Sequence, residues 1–181
     1  DGSVYGGCAG SAVSASAGVV YHNVEVNLLG GTVKKNVYGG GAIANTNLHD
    51  ERNDSTDNED CKEVCTTVVN LTGGLIEGDA YGGGEGLWNT ANGDANVFGD
   101  ISVTLNGTAF NISYQDTDEE NVQVVKSGRV FGANNLNGSP RGNVTVTVEQ
   151  TVEGNTPRTA AEDSEAETLR ASRSADVAHP Y

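Results

Sequence analysis

The sequence predicts an all-β chain: a single-stranded parallel β-helix (β-solenoid), right-handed, with about four or five irregular coils and acidic loop insertions. Three observations predict it. The first is composition: the 181 residues include 25 Gly, 19 Asn and 28 Ser plus Thr, but no Met, one Trp and three Pro. Its apolar residues are mostly Val and Ala, which suit short strands joined by turns. The second is self-similarity. Gly-Gly-Thr-Val-Lys-Lys-Asn-Val-Tyr-Gly-Gly-Gly at 30–41 aligns without a gap on Gly-Gly-Leu-Ile-Glu-Gly-Asp-Ala-Tyr-Gly-Gly-Gly at 73–84. The third is strict alternation of apolar and polar residues, as in Ile101-Ser-Val103-Thr-Leu105 and Val144-Thr-Val146-Thr-Val148, which places the apolar set on one face.

Taken in order, each repeat opens on an alternating strand, Val24–Leu28 in one copy and Thr67–Leu71 in the next. A Gly-Gly turn follows, and then a second strand running from Val33 to Val37 or from Ile76 to Ala80. The closing glycines supply either φ > 0 or room where a Cβ does not fit. Weaker copies of the Val/Ala-Tyr/Phe-Gly phrase stand at Val4-Tyr5-Gly6, Val97-Phe98-Gly99 and Val130-Phe131-Gly132. Successive copies are expected to stack about 4.8 Å apart with their aromatic rings in a column. Val26, Leu28, Val69, Leu71, Val103, Leu105, Val144, Val146 and Val148 should face the core, and Asn27, Asn70, Thr104, Thr145 and Thr147 the outside. An antiparallel β-sandwich with Gly-rich turns is the competing architecture, but it does not require the same glycine punctuation at equivalent places.

The repeat domain is expected over 1–153, with insertion loops at about 9–21, 42–65 and 115–120. Residues 154–181 form a C-terminal tail, flexible, short-helical or strapping a neighbour. The net charge is −15, and most of the acids fall in Asp50–Glu63, Asp116–Glu120 and Glu149–Asp176. Such blocks belong in solvated loops or tails. The scarcity of Lys and Arg argues against nucleic acid as a partner. No apolar run is long enough to insert into a membrane. Asp1-Gly2-Ser3 leads straight into a repeat phrase, so a mature extracellular form without signal peptide is the expectation.

The phrase Gly-Gly-Thr-Val…Val-Tyr-Gly-Gly-Gly, together with the Asn-Val-Thr-Val-Thr-Val strand, resembles the repeats of large secreted surface proteins of Bacteroidota. The resemblance covers roughly residues 1–8, 22–41, 66–107 and 121–150. It implies a right-handed parallel β-helix in an adhesin-like or fibre-like protein at the bacterial cell surface. It is specific for architecture and poor for activity, because one fold hosts many functions.

Few residues suggest chemistry. Asp54, Thr56, Asn58 and Asp60 alternate as oxygen ligands do in calcium loops, with Asp54, Asn58 and Asp60 the candidate ligands, but Glu59 and Cys65 stand where the Gly and the closing Glu belong, so Ca²⁺ is at most a candidate and no cofactor is expected. A Cys61–Cys65 disulfide would staple the base of the acidic loop, leaving Cys8 reduced or paired between molecules; a bridge from Cys8 to one of the other two is the rival. Glycosylation candidates are Ser55, in a stretch resembling the O-glycosylation signal of Bacteroidota, and the sequon residues Asn70 and Asn106. The outward ladder of Glu25, Asn27, Asn70, Ser102, Thr104, Thr145 and Thr147 has a single acid and no base, so no catalytic residue is assigned.

The expected function is therefore that of a non-enzymatic structural subunit of an extracellular fibre or surface adhesin, with glycans or a host surface as a further partner. A carbohydrate-binding or carbohydrate-cleaving β-helix is the alternative. The chain opens on the closing phrase at Val4 and Tyr5, and its repeats end on the opening strand at Val144, Val146 and Val148. The two ends are complementary halves of one unit, which predicts head-to-tail self-association by strand stacking.

Overall fold

The computed structural model describes residues 2–48, 64–116 and 123–153, and within these all regular structure is β. The first repeat contributes β1 (Val4–Tyr5), β2 (Val24–Leu28) and β3 (Thr32–Val33). The second contributes β4 (Val37–Tyr38), β5 (Thr66–Leu71) and β6 (Leu75–Ile76). The third has β7 (Ala80–Tyr81) and one long strand, β8 (Asp100–Phe110). A hairpin of β9 (Ser113–Asp116) and β10 (Gln123–Ser127) precedes β11 (Val130–Phe131) and β12 (Val144–Glu153).

Equivalent segments of the repeats pair in parallel and in register. β1, β4, β7 and β11 make a four-stranded sheet with Tyr5, Tyr38, Tyr81 and Phe131 at matched positions. A six-stranded sheet runs β2-β5-β8-β6-β3, and β12 pairs with β8 from its other side. Val24, Thr67, Ile101 and Val144 share one row of that sheet, and Val26, Val69, Val103 and Val146 another.

The expected single-stranded β-helix of four or five coils is corrected by this sheet topology. β8 is one uninterrupted eleven-residue strand that pairs with β5 along its first half and with β6 along its second. The segments before and after the Gly turn therefore belong to one curled six-stranded sheet, and the antiparallel hairpin β9–β10 stands apart from it. The bend sits at Gly107, whose φ of 96° is open to glycine. Beside it the Thr108 hydroxyl donates to Gly73 O at 2.8 Å, filling the gap the turn leaves in the ladder.

Three further expectations change. The second strand of each repeat is two short strands, since the chain turns at 34–36 and again at 77–79. The Val97-Phe98-Gly99 phrase is no copy of the others: Val97 bridges to Thr46 and Pro140, outside the four-stranded sheet. The third concerns Val144, Val146 and Val148. They share rows with Ile101, Val103 and Leu105, which are 1, 0 and 5% exposed, yet they are themselves 42, 43 and 59% exposed. Among the described residues the backbone of Gly132 lies against Val144 and Val146 but leaves them largely open to water. Elsewhere the alternation holds: Val26, Val69, Leu71, Val103 and Leu105 are buried, Leu28 packs against them half-buried, and Asn27, Asn70 and Thr104 are not buried.

The two sheets meet through the glycine after each aromatic residue. A Cβ on Gly39 would lie 2.2 Å from Gly82 O, 2.7 Å from Thr67 Cγ2 and 2.8 Å from Val69 Cγ2. Gly6, Gly82 and Gly132 are blocked in the same way by Val24 and Val26, Ile101 and Val103, and Val144 and Val146. The apolar face of the large sheet thus rests on bare backbone. Gly39→Ala is expected to destabilise the chain by about 3 kcal/mol through overpacking. Gly30→Ala, where an added Cβ meets nothing within 4 Å, should leave the denaturant midpoint almost unchanged.

Candidate functional site

The aromatic residues at matched register positions build a column. Tyr5 stacks on Tyr38 at 4.9 Å between centroids, Tyr38 on Tyr81 at 5.0 Å, and Tyr81 on Phe131 at 5.0 Å, all nearly parallel. The spacing is that of neighbouring strands, so the rings stack because the backbones pair. Their hydroxyls are all engaged. Tyr5 donates to Glu85, Tyr38 accepts from the side-chain amides of Asn36 at 2.9 Å and Asn135 at 2.8 Å, and Tyr81 donates to Asp79 at 3.3 Å. Burial, reinforced by the bond to Glu85, pushes the Tyr5 phenol up to about 12. Burial raises Tyr38 and Tyr81 as well, with the carboxylate of Asp79 adding to the shift at Tyr81.

Just before each aromatic phrase runs a second row: Ser3, Asn36, Asp79 and Arg129. Ser3 Oγ accepts the Asn36 backbone N–H at 3.3 Å, Asn36 Oδ1 that of Asp79 at 2.8 Å, and Asp79 Oδ1 that of Arg129 at 2.9 Å. Arg129 is the one member with no side-chain acceptor. Its guanidinium turns back onto the buried Asp79, with Nε–Oδ1 at 3.2 Å and Nη2–Oδ2 at 2.7 Å, and sits 5.3 Å from the Phe131 centroid. This bidentate bond holds Arg129 above its ordinary pKa.

A third row passes through Val20, Thr46, Val97 and Pro140. The backbone N–H of Val20 donates to Asn45 O, that of Thr46 to Asn96 O and that of Val97 to Ser139 O. Pro140 has no N–H to offer at the fourth position. All three rows end at the same edge, where β11 and β12 form the last pairings. There Phe131, Leu136, Val144, Val146, Val148 and Val152 are exposed.

The sequence-predicted sites distribute as follows. Tyr5 is half-buried in the column, and Val4 is exposed on the outer strand of the opposite edge. Val144, Val146 and Val148 lie together on β12. Asp54, Asn58, Asp60, Ser55 and Cys61 lie outside the described residues, and with them the calcium candidate, the O-glycosylation candidate and the Cys61–Cys65 bridge. Cys65 is buried and Cys8 exposed. The Asn70 amide donates to Asn27 Oδ1 at 2.9 Å, and that of Asn106 to Glu149 at 2.7 Å, so both sequon amides serve the outward ladder. Among the described residues no cluster of His, Cys, Asp and Glu is arranged to hold a metal ion. The rows through Ser3 and Val20 escaped notice in the sequence. A signal was present for the first, because Ser3, Asn36, Asp79 and Arg129 each directly precede the Val/Ala-Tyr/Phe pair.

The raised phenols fix the sign of an alkaline transition. Folding keeps Tyr5 protonated beyond its ordinary value of 10, so its contribution is complete below pH 10 and is lost as pH rises toward about 12. The denaturant midpoint should fall over that interval as tyrosinate absorbance appears, and Tyr5→Phe should flatten the fall. Comparison with protein-family models, with curated proteins and with solved structures finds no match to this chain.

Proposed function

We propose that the chain is a non-enzymatic structural subunit of an extracellular fibre or surface adhesin, adding to further copies of itself head to tail by strand addition. The open edge at β11 and β12 carries this reading. β12 pairs with β8 and has no neighbour on its other side among the described residues, and its core-facing valines stand exposed. At the opposite edge β1, β2 and β3 also pair on one side only. A strand edge with apolar side chains is a template for another strand. The surface that best matches this one is the first repeat of a second copy, because each repeat here already pairs with the next in one constant register. Unlike surfaces joined in this way do not close on themselves, so the product is an open filament. The composition, rich in Gly, Asn, Ser and Thr, suits an exposed display module.

Sedimentation velocity over a concentration series is expected to show species that grow with protein concentration. Added salt should favour them, since a net charge of −15 opposes self-contact. Val146→Lys should hold the chain monomeric while leaving its circular dichroism and unfolding midpoint nearly intact, because Val146 is already 43% exposed. An intact chain that stays monomeric at its solubility limit overturns the proposal.

A further inference from the structure

Resting on that self-assembly reading, we infer that the joint has a fixed register. Val144, Val146 and Val148 of one copy lie opposite Val24, Val26 and Leu28 of the next, and Val130 and Phe131 lie opposite Val4 and Tyr5. The row ending at Pro140 joins without its donor bond.

The register follows from hydrogen-bond polarity. The N–H groups of Val4, Val37 and Ala80 donate to the carbonyls of Asn36, Asp79 and Arg129, always toward the later repeat. Those of Gly6, Gly39 and Gly82 donate likewise to Tyr38, Tyr81 and Phe131. Repeating the operation sends the N–H groups of Val130 and Gly132 toward Ser3 O and Tyr5 O of a second copy. In the large sheet the Ile101 N–H donates to Asn143 O. Val144, two rows on from Thr67 in the same line, would then donate to Asn23 O of the second copy. The side chains agree with this alignment. Val24, Thr67, Ile101 and Val144 form a row of β-branched residues, and Leu28, Leu71, Leu105 and Val148 an aliphatic one, so each row continues with a residue of its own kind. Tyr5 would extend the aromatic column on Phe131, whose ring is 37% exposed.

Pro140 sets the limit of the joint. At its position Val20, Thr46 and Val97 each donate an N–H to the following repeat, and proline cannot. Proline at a sheet edge blocks pairing there. The carbonyls of Val20, Thr46 and Val97 also accept an N–H from the following repeat, so the Pro140 row would keep its acceptor and lose its donor, which weakens the joint there and favours reversible growth over indefinite fusion.

The joint can be mapped with a photo-cross-linking amino acid at position 147, an exposed outward site on β12, in an equal mixture of isotope-labelled and unlabelled chains. The expected product is an intermolecular link to the peptide bearing Asn27, the residue two before which, Glu25, faces Thr145 in this register. Links instead between two copies of the 143–149 segment, or to positions displaced from Asn27 by two or more residues, overturn the register while leaving self-assembly intact. Absence of any assembled species overturns both. Pro140→Ala supplies the missing donor and is expected to lower the concentration of half-assembly several-fold; an unchanged or higher concentration overturns the assignment of Pro140 as the weakened row.

Discussion

The absence of a side chain after each aromatic residue is the constraint on which this structure depends. At Gly6, Gly39, Gly82 and Gly132 the β-branched pair from the large sheet comes within 3 Å of where a Cβ would stand. Only a bare backbone lets the two sheets approach this closely, and only at this approach do Val69, Leu71, Val103 and Ile76 lose nearly all contact with water. The core is one side chain deep, and burying an aliphatic side chain of this size contributes about 2 kcal/mol. Such a thin core tolerates no gap between sheets. The neighbouring aromatic residue needs the same approach, since rings 5 Å apart require backbones paired at strand spacing.

Much of the local pattern was legible in the sequence, and the reason is periodicity. Alternation assigned the faces of Val26, Val69, Val103 and Asn27 because a strand has only two faces to choose between. The aromatic column was legible because its residues recur beside the same glycines. What alternation could not report is where one strand ends and another begins. Thr72-Gly73-Gly74 breaks the second repeat into two strands, whereas Asn106-Gly107-Thr108, of equal length, carries β8 through. The long strand pairs with β5 along one half and β6 along the other, a tertiary arrangement without a signature of its own in the sequence. The Phe98 phrase misled for a related reason. Asn96 accepts the N–H of Ser139 just as Asn36 accepts that of Asp79, so like chemistry occurs in two different rows. Exposure of Val144, Val146 and Val148 was also illegible, because alternation reports which face a side chain takes and not how many strands lie beside it.

The two outer edges of the sheets are not equivalent in their chemistry. At the β12 edge the structure combines attraction and restraint: exposed valines and an aromatic ring beside a cation fixed by Asp79 and a proline that ends a backbone row. Isolated edge strands in proteins are generally guarded by charge or proline. Here Arg129 and Pro140 flank strands whose outer sides have no partner among the described residues.

The side-chain acceptors explain how the repeats tolerate unequal spacing. Aromatic positions 5, 38, 81 and 131 are separated by 33, 43 and 50 residues, yet the rings stay within 5.0 Å of one another. Most passes of the chain are caught at entry by a side-chain oxygen from the pass before: Ser3 for Asn36, Asn36 for Asp79, Asp79 for Arg129, Asn23 for Thr66, Asn45 for Asn96, and Asp100 for Asn143, while Asp100 itself donates to the backbone oxygen of Cys65. The register is therefore set where the strand begins, by a contact that is indifferent to the length of chain between. Lengthening a loop costs little, about 0.6 kcal/mol for each doubling, so insertions can accumulate between caught positions without disturbing the rows. Register control has moved from loop length, which sets it in hairpins, to a single acceptor residue at each entry.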